Sequence, residues 1–302
     1  MKPDALLDEF IRHLRVERGL SRNTWLSYGY QIKGYLAFLA ARGKGPLSAG
    51  RDDVLAHLEA KKDGGRQSAS IFAVAIAVRQ FHRFLHEQGH AAQDPTQGMR
   101  LPKFEQHLPE FLSTTEMEQL LAAHAGAKFT TIRDRAMIEL MYATGMRVSE
   151  LTGLRLGQLD LETGWVRVLG KGSKERIIPF GPRAAAVLRS YLDARAGRFP
   201  TAPDALFLNV RGGGPITRGG FAWRLAAVAR RAGLSGGVAP HQIRHTCATH
   251  MLMGGAELRM IAEMLGHRTV VTTQRYTHVT ATLLRTTCEK THPGYSAENR
   301  GV

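Results

Sequence analysis

Tyr276 stands in the polar segment Thr272-Thr273-Gln274-Arg275-Tyr276-Thr277-His278. A phenol has an unperturbed pKa of ~10, so nucleophilic attack at neutral pH requires a base and a cationic setting around an electrophile such as a phosphate. Several residues upstream have the right chemistry. Arg147 emerges at a glycine turn, after Thr144-Gly145-Met146 and before Val148-Ser149-Glu150-Leu151, where Glu150 could orient a neighbour. A guanidinium can donate two hydrogen bonds to the non-bridging oxygens of a phosphodiester. Pro240 suits the first turn of a helix and puts His241 and Arg244 on one face near its N-terminus, where backbone N–H groups and cations can converge on an anion. Lys171 lies in the basic, glycine-rich turn Gly170-Lys171-Gly172-Ser173-Lys174, and His267 follows Gly266 at the expected end of a helix.

Each of these has a plainer reading when taken singly. Tyr276 could anchor a terminal helix, Arg147 could be a helix-end cation, and His267 could compensate a helix dipole. His241, His245, Cys247 and His250 also crowd together as a conceivable zinc site, although neither an HExxH pattern nor paired Cys-x-x-Cys units accompany them. We therefore expect no metal and no cofactor.

The whole chain favours an anionic partner. Its 302 residues carry 41 Lys and Arg against 26 Asp and Glu, a formal net charge of +15. Such an excess attracts polyanions, with nucleic acid ahead of anionic membrane because no polybasic run adjoins an amphipathic anchor. Hydrophobic residues at 43% and charged residues at 22% fit a folded globular protein. The two cysteines, Cys247 and Cys288, are too few for a disulfide framework and are expected as reduced thiols. With neither a signal-peptide pattern nor an apolar run of membrane-spanning length, a cytoplasmic location is expected.

The elements that must carry these residues are mainly helical, with a small β-sheet. Leu6, Leu7, Phe10, Ile11 and Leu14 recur at helical spacing before Gly19. A second helix starts at Ser21 and runs through Trp25, Tyr28, Ile32, Tyr35, Leu36 and Leu39 to Gly43. Val54, Leu55 and Leu58 mark a third helix, and Ile71, Val74, Val78, Phe81 and Leu85 a fourth. The pattern breaks at Pro95, Gly98, Pro102 and Pro109, which predicts a domain at 1–94 and a linker at 95–110. A second domain is expected at 111–290, followed by a flexible tail at 291–302. It starts with a helix at Ser113 and continues through a buried helix carrying Ile132, Ala136, Met137, Leu140 and Met141. Trp165, Arg167 and Leu169, then Arg176, Ile177 and Ile178, flank the basic turn as a β-hairpin.

The ordered constellation is more specific than its parts. Arg147, the hairpin Lys171, His241-Gln242-Ile243-Arg244, Leu265-Gly266-His267 and Tyr276 follow in sequence, the last two separated by 276 − 267 = 9 positions. With Ala143-Thr144-Gly145-Met146-Arg147-Val148-Ser149-Glu150-Leu151 and Gly170-Lys171-Gly172-Ser173-Lys174-Glu175-Arg176, it resembles the tyrosine recombinase (phage integrase) family over nearly the full chain, and within that family the Xer type.

The resemblance implies a two-domain, C-shaped clamp on duplex DNA, with an N-terminal helical core-binding (SAM-like) domain and an α+β catalytic domain. It implies Tyr276 as nucleophile of a 3′-phosphotyrosyl intermediate, Arg147, Arg244 and His267 as ligands of the phosphate, His241 as base and Lys171 as leaving-group acid. Lys174 is a rival for that last role. It further implies a homo- or hetero-tetramer on two sites, a possible second recombinase or activating partner, a Holliday-junction intermediate and a terminal helix docking on a neighbour. Leu283 and Leu284 could equally pack in cis. Arg22, Asn23, Lys33, Gln67, Ser68, Lys174 and Arg176 are further candidates for contacting DNA. A type IB topoisomerase would use similar residues without exchanging strands, and a DNA-binding regulator would use none of them chemically.

Overall fold

The computed structural model describes residues 2–100, 111–170, 175–234, 237–266 and 278–295, the side chains of 278–281 excepted. The chain divides into two compact bodies, Met1–His107 and Leu108–Val302.

The first body is a four-helix bundle: α1 (Pro3–Val16), α2 (Arg22–Ala41), α3 (Arg51–Asp63) and α4 (Ser68–Glu87). Leu6, Phe10 and Leu14 recur every four residues and form the buried stripe of α1. They meet Ile32, Tyr35 and Leu39 of α2 and Val74, Val78, Phe81 and Leu85 of α4 in one apolar cluster. Ser21 occupies the N-cap position of α2, yet its hydroxyl lies 2.8 Å from that of Thr24 rather than on a backbone N–H. The body extends past residue 94. Thr96 and Met99 are buried, and Arg79 donates to the Met99 carbonyl, so Pro95 to Arg100 pack here instead of opening a linker. Proline and glycine there break the helix without breaking the packing.

Two histidines lie inside this bundle. His82 Nε2 is 2.9 Å from the Tyr35 hydroxyl, while neither ring nitrogen of His57 has a hydrogen-bonding partner among the described residues. Burial pushes both imidazoles down to about 4. A folded-state value below the unfolded 6.5 means that the unfolded chain takes up the proton first. Their stabilising contribution is thus complete above about pH 6.5, falls as pH drops, and levels off near pH 4. Stability should fall by up to about 1.4 kcal/mol per pH unit per histidine within that window. Denaturant unfolding at pH 7 and pH 5 measures the loss, and ring protons titrating near 6.5 in NMR would contradict it.

The second body is built on α6 (Phe129–Thr144), which is buried along most of its length. The short α5 (Thr114–Ala122) precedes it, entered through a capping box in which the Ser113 hydroxyl accepts from Glu116 N–H and the Glu116 carboxylate accepts from Ser113 N–H. After the short α7 (Val148–Thr152) come β1 (Leu159–Asp160), β2 (Trp165–Leu169) and β3 (Glu175–Pro179), an antiparallel sheet in the order β1-β2-β3. Leu169 pairs with Glu175, so β2 and β3 form the antiparallel pair that the sequence predicts, while residues 171–174 between them lie outside the described residues. Val166 and Val168 point into the core, and Arg167 and Leu169 are exposed.

Then follow α8 (Pro182–Arg198), α9 (Arg218–Arg231), α10 (Pro240–Met253), α11 (Leu258–Leu265) and α12 (His278–Thr291). Helix α6 packs against α8 and α10, and α12 packs against β3 and α10. Leu284 and Cys288 of α12 are buried within this body and Leu283 is exposed, which gives the cis packing for Leu284. The chain stays anchored beyond α12. His292 donates from Nε2 to the Tyr142 carbonyl at 3.0 Å, its Nδ1 accepts from Gly294 N–H at 3.0 Å, and Tyr295 is buried. Residues 291–295 are therefore core rather than tail, because the aromatic rings of His292 and Tyr295 bury against Tyr142 and Gly181. Among the described residues, none of the helices is long and apolar enough to cross a membrane.

Candidate active site

The ends of two helices define the site. Helix α6 closes at Gly145 with φ +58°, and α11 closes at Gly266 with φ +68°, both in the left-handed region that favours glycine. The two ends are in close contact: a Cβ on Gly145 would lie 2.5 Å from Leu265 Cδ2 and 3.2 Å from Cys247 Sγ. Gly145→Ala combines left-handed strain of about 1–2 kcal/mol with overpacking of about 1–3 kcal/mol, and should lower stability by about 2–5 kcal/mol. A shift in the denaturation midpoint reads it.

Three arginines occupy this junction. Arg244, from the first turns of α10, donates to the Gly145 carbonyl at 2.7 Å and to the Leu265 carbonyl at 2.8 Å. Arg147, at the N-cap position of α7, reaches the Gly266 carbonyl at 3.4 Å. Arg176, on β3, donates from Nε to the Met264 carbonyl at 3.0 Å. Terminal carbonyls carry the negative end of the helix dipole, so both helix C-termini attract these cations.

Glu150 joins two of the arginines. Its carboxylate accepts from Arg147 N–H at 2.7 Å, from Arg147 Nη1 at 3.0 Å, and from Arg176 Nη1 and Nη2 at 3.0 and 2.8 Å. Burial pushes the Glu150 carboxyl up, but the bonds from Arg176 and from the Arg147 backbone outweigh it and hold the group below its ordinary value. Glu150 thus binds two guanidinium groups, and its charge also acts on the third, Arg244. Burial, followed by repulsion from Arg147, pushes Arg244 down to about 10. An anion placed between Arg147 and Arg244 would relieve that repulsion, and the Arg147 side chain is 38% exposed to receive one.

His241 is exposed on the first turn of α10, three residues before Arg244. The Gln242 side chain accepts from Ala239 N–H at 2.7 Å and caps that helix. His250, considered above as a metal ligand, has Nδ1 2.8 Å from the Tyr142 hydroxyl, and Cys247 is buried. No cluster of three metal-ligating side chains occurs among the described residues. Lys171, Lys174, His267 and Tyr276 lie outside the described residues.

Arg22 and Asn23 open α2, Gln67 is the N-cap of α4 and Ser68 its first residue, and with Lys33 all five are exposed on the first body. Arg176 departs from its expected place among DNA contacts: it is only 6% exposed and every nitrogen of its guanidinium is engaged inside the protein. The signal was in the strand's alternation. Arg176 shares parity with the buried Ile178, so it points inward with it.

A mainly helical chain of two bodies, the second of which holds a small sheet and gathers Arg147, Arg176 and Arg244 at the ends of α6 and α11, has the architecture of the recombinase class that the comparisons define. The phage integrase family model matches residues 110–282, and the model for the phage integrase N-terminal SAM-like domain matches residues 7–89. "Tyrosine recombinase XerD" of Halalkalibacterium halodurans is 40% identical over 291 residues, covering 95% of this chain and 97% of the relative. A protein of the same name from Chlorobaculum tepidum is 40% identical over 294 residues, covering 95% and 96%. Among solved structures, XerA recombinase aligns with a TM-score of 0.51 at 27% identity, covering 94% of this chain and 98% of that one. A lambda integrase dimer bound to a core site shares the fold, with a TM-score of 0.69 at 19% identity over 92% of this chain and 100% of that one. The chain belongs to the phage integrase family and is a tyrosine-type site-specific recombinase.

Proposed function

We propose that this chain cuts and rejoins duplex DNA through a phosphotyrosyl bond at Tyr276, exchanging strands between two sites. The observation that carries the reading is the convergence of Arg147 and Arg244 on the paired C-termini of α6 and α11. Both guanidinium groups would bind the non-bridging oxygens of the scissile phosphate and stabilise the charge of the pentacoordinate transition state. His267, next in the chain after Gly266, would add a hydrogen bond.

The step balances without a metal or ATP. The Tyr276 oxygen bonds to phosphorus as the bond to the 5′ oxygen breaks; the phenol proton passes to His241, and Lys171, with Lys174 as rival, protonates the departing 5′ oxygen. Because the phosphotyrosyl ester keeps the energy of the broken bond, a 5′ hydroxyl from a partner strand can reverse the step. That chemistry supports exchange through a Holliday junction within a homo- or hetero-tetramer, which a second recombinase could complete. Arg22, Asn23, Lys33, Gln67 and Ser68 are the first body's proposed DNA contacts; that body is the proposed DNA-binding domain and the second body the proposed catalytic domain. An enzyme acting on DNA, with membrane-spanning helices absent among the described residues, fits a cytoplasmic location.

The test is covalent capture. Sheared genomic DNA is incubated with the chain in the absence of ATP and Mg²⁺, denatured, and the protein-linked fragments are sequenced. Enrichment of one short, roughly palindromic site is the expected result; confirmed binding with no adduct would overturn the assignment of this chemistry to the isolated chain. Strand exchange between two copies of that site separates recombination from topoisomerase-like religation.

A further inference from the structure

Arg176 is buried, yet it sits where three parts of the site meet. It grips both oxygens of Glu150, whose carboxylate also holds the backbone and side chain of Arg147, and it donates to Met264 near the C-terminus of α11. Its own backbone belongs to β3, whose first residue, Glu175, directly follows Lys174 in the chain. Gly266 lies flat on the guanidinium: a Cβ there would be 3.3 Å from Arg176 Cζ, so only glycine lets α11 close this tightly before His267.

A planar fork with donors in several directions suits this position. Lysine, a point charge, would preserve charge balance but could not span two carboxylate oxygens and a carbonyl in the same geometry. A merely structural ion pair would require only that the charge on Glu150 be neutralised. Here the same carboxylate also sets the direction of Arg147.

We infer that Arg176 is a positioning residue for strand cleavage, which acts through Glu150 to hold Arg147 in register with the scissile phosphate. The inference rests on the reading of Arg147 as a phosphate ligand. A displacement of about 1 Å at a reacting centre can lower a rate by about 10²-fold, which bounds the expected effect.

The experiment uses the full chain and a duplex oligonucleotide carrying the site recovered by covalent capture, with single-turnover adduct formation and DNA affinity measured separately. Arg176→Lys should slow cleavage by about 10–100-fold while leaving DNA affinity within about threefold. The deciding measurement is a double-mutant cycle with Arg147→Ala. If Arg176 works through Arg147, adding Arg176→Lys to Arg147→Ala should slow cleavage by less than about twofold more. Wild-type rates in Arg176→Lys, or the same proportional loss in both backgrounds, would overturn the inference and leave the phosphate-binding reading intact. Absence of a Tyr276-dependent adduct in the wild type would overturn both. Should Arg176→Lys melt below the assay temperature, the Glu150→Gln/Arg176→Gln chain removes one charge of each sign and carries the same expected and overturning results.

Discussion

Tyr276→Phe should abolish the covalent DNA adduct while leaving DNA binding within about twofold of wild type. The substitution removes one hydroxyl, which is the whole of the nucleophile, and leaves the ring and the net charge of +15 in place. Affinity for the duplex comes chiefly from basic side chains meeting phosphates and persists without the hydroxyl. Denaturing gels detect the adduct, and mobility shift in parallel detects binding. An adduct retained by Tyr276→Phe would refute the nucleophile assignment outright, and loss of binding together with the adduct would show the tyrosine to be a folding or contact residue instead.

Arg147→Ala should lower the single-turnover cleavage rate by about 10²–10³-fold, with a much smaller change in affinity. The reason lies in timing. A guanidinium on a non-bridging oxygen meets more charge in the pentacoordinate state than in the bound ester, so its removal weakens the transition state more than the ground state. The fold should tolerate this change, because Arg176 still holds both oxygens of the Glu150 carboxylate and the Arg147 N–H donates from the backbone, which alanine retains. Arg244→Ala supplies the contrast. Its side chain satisfies the carbonyls that end α6 and α11, so the alanine variant should lose thermal stability as well as rate. Equal losses of affinity and rate in Arg147→Ala would recast that residue as a uniform binding contact.

Much of the local structure was legible because its causes are local. The stripe Leu6, Phe10 and Leu14, the helix start at Ser113, and the strand pair around Trp165–Leu169 and Arg176–Ile178 each arise from residues within a few positions of one another. The charge excess, and the order of Arg147, His241-x-x-Arg244 and Gly266-His267, are likewise written in the chain.

Where sequence reading went astray, the deciding partner was far away. Pro95 to Arg100 have linker composition, yet Arg79 holds Met99 against the first core. His292 and Tyr295 look terminal until Tyr142, 150 positions before His292, covers the imidazole and Gly181 meets the Tyr295 ring. Arg176 has the chemistry of a DNA contact and is instead enclosed by Glu150, Met264 and Gly266.

By itself the sequence determined which groups are present and which helices and strands carry them, since periodicity, caps and turns are short-range properties. Only the tertiary structure decided that the ends of α6 and α11 abut through Gly145 and Leu265, and that their carbonyls and a single carboxylate hold three arginines together. That arrangement sets cations against their mutual repulsion, and it exists because packing between distant segments supplies the helix dipoles and hydrogen bonds that offset it.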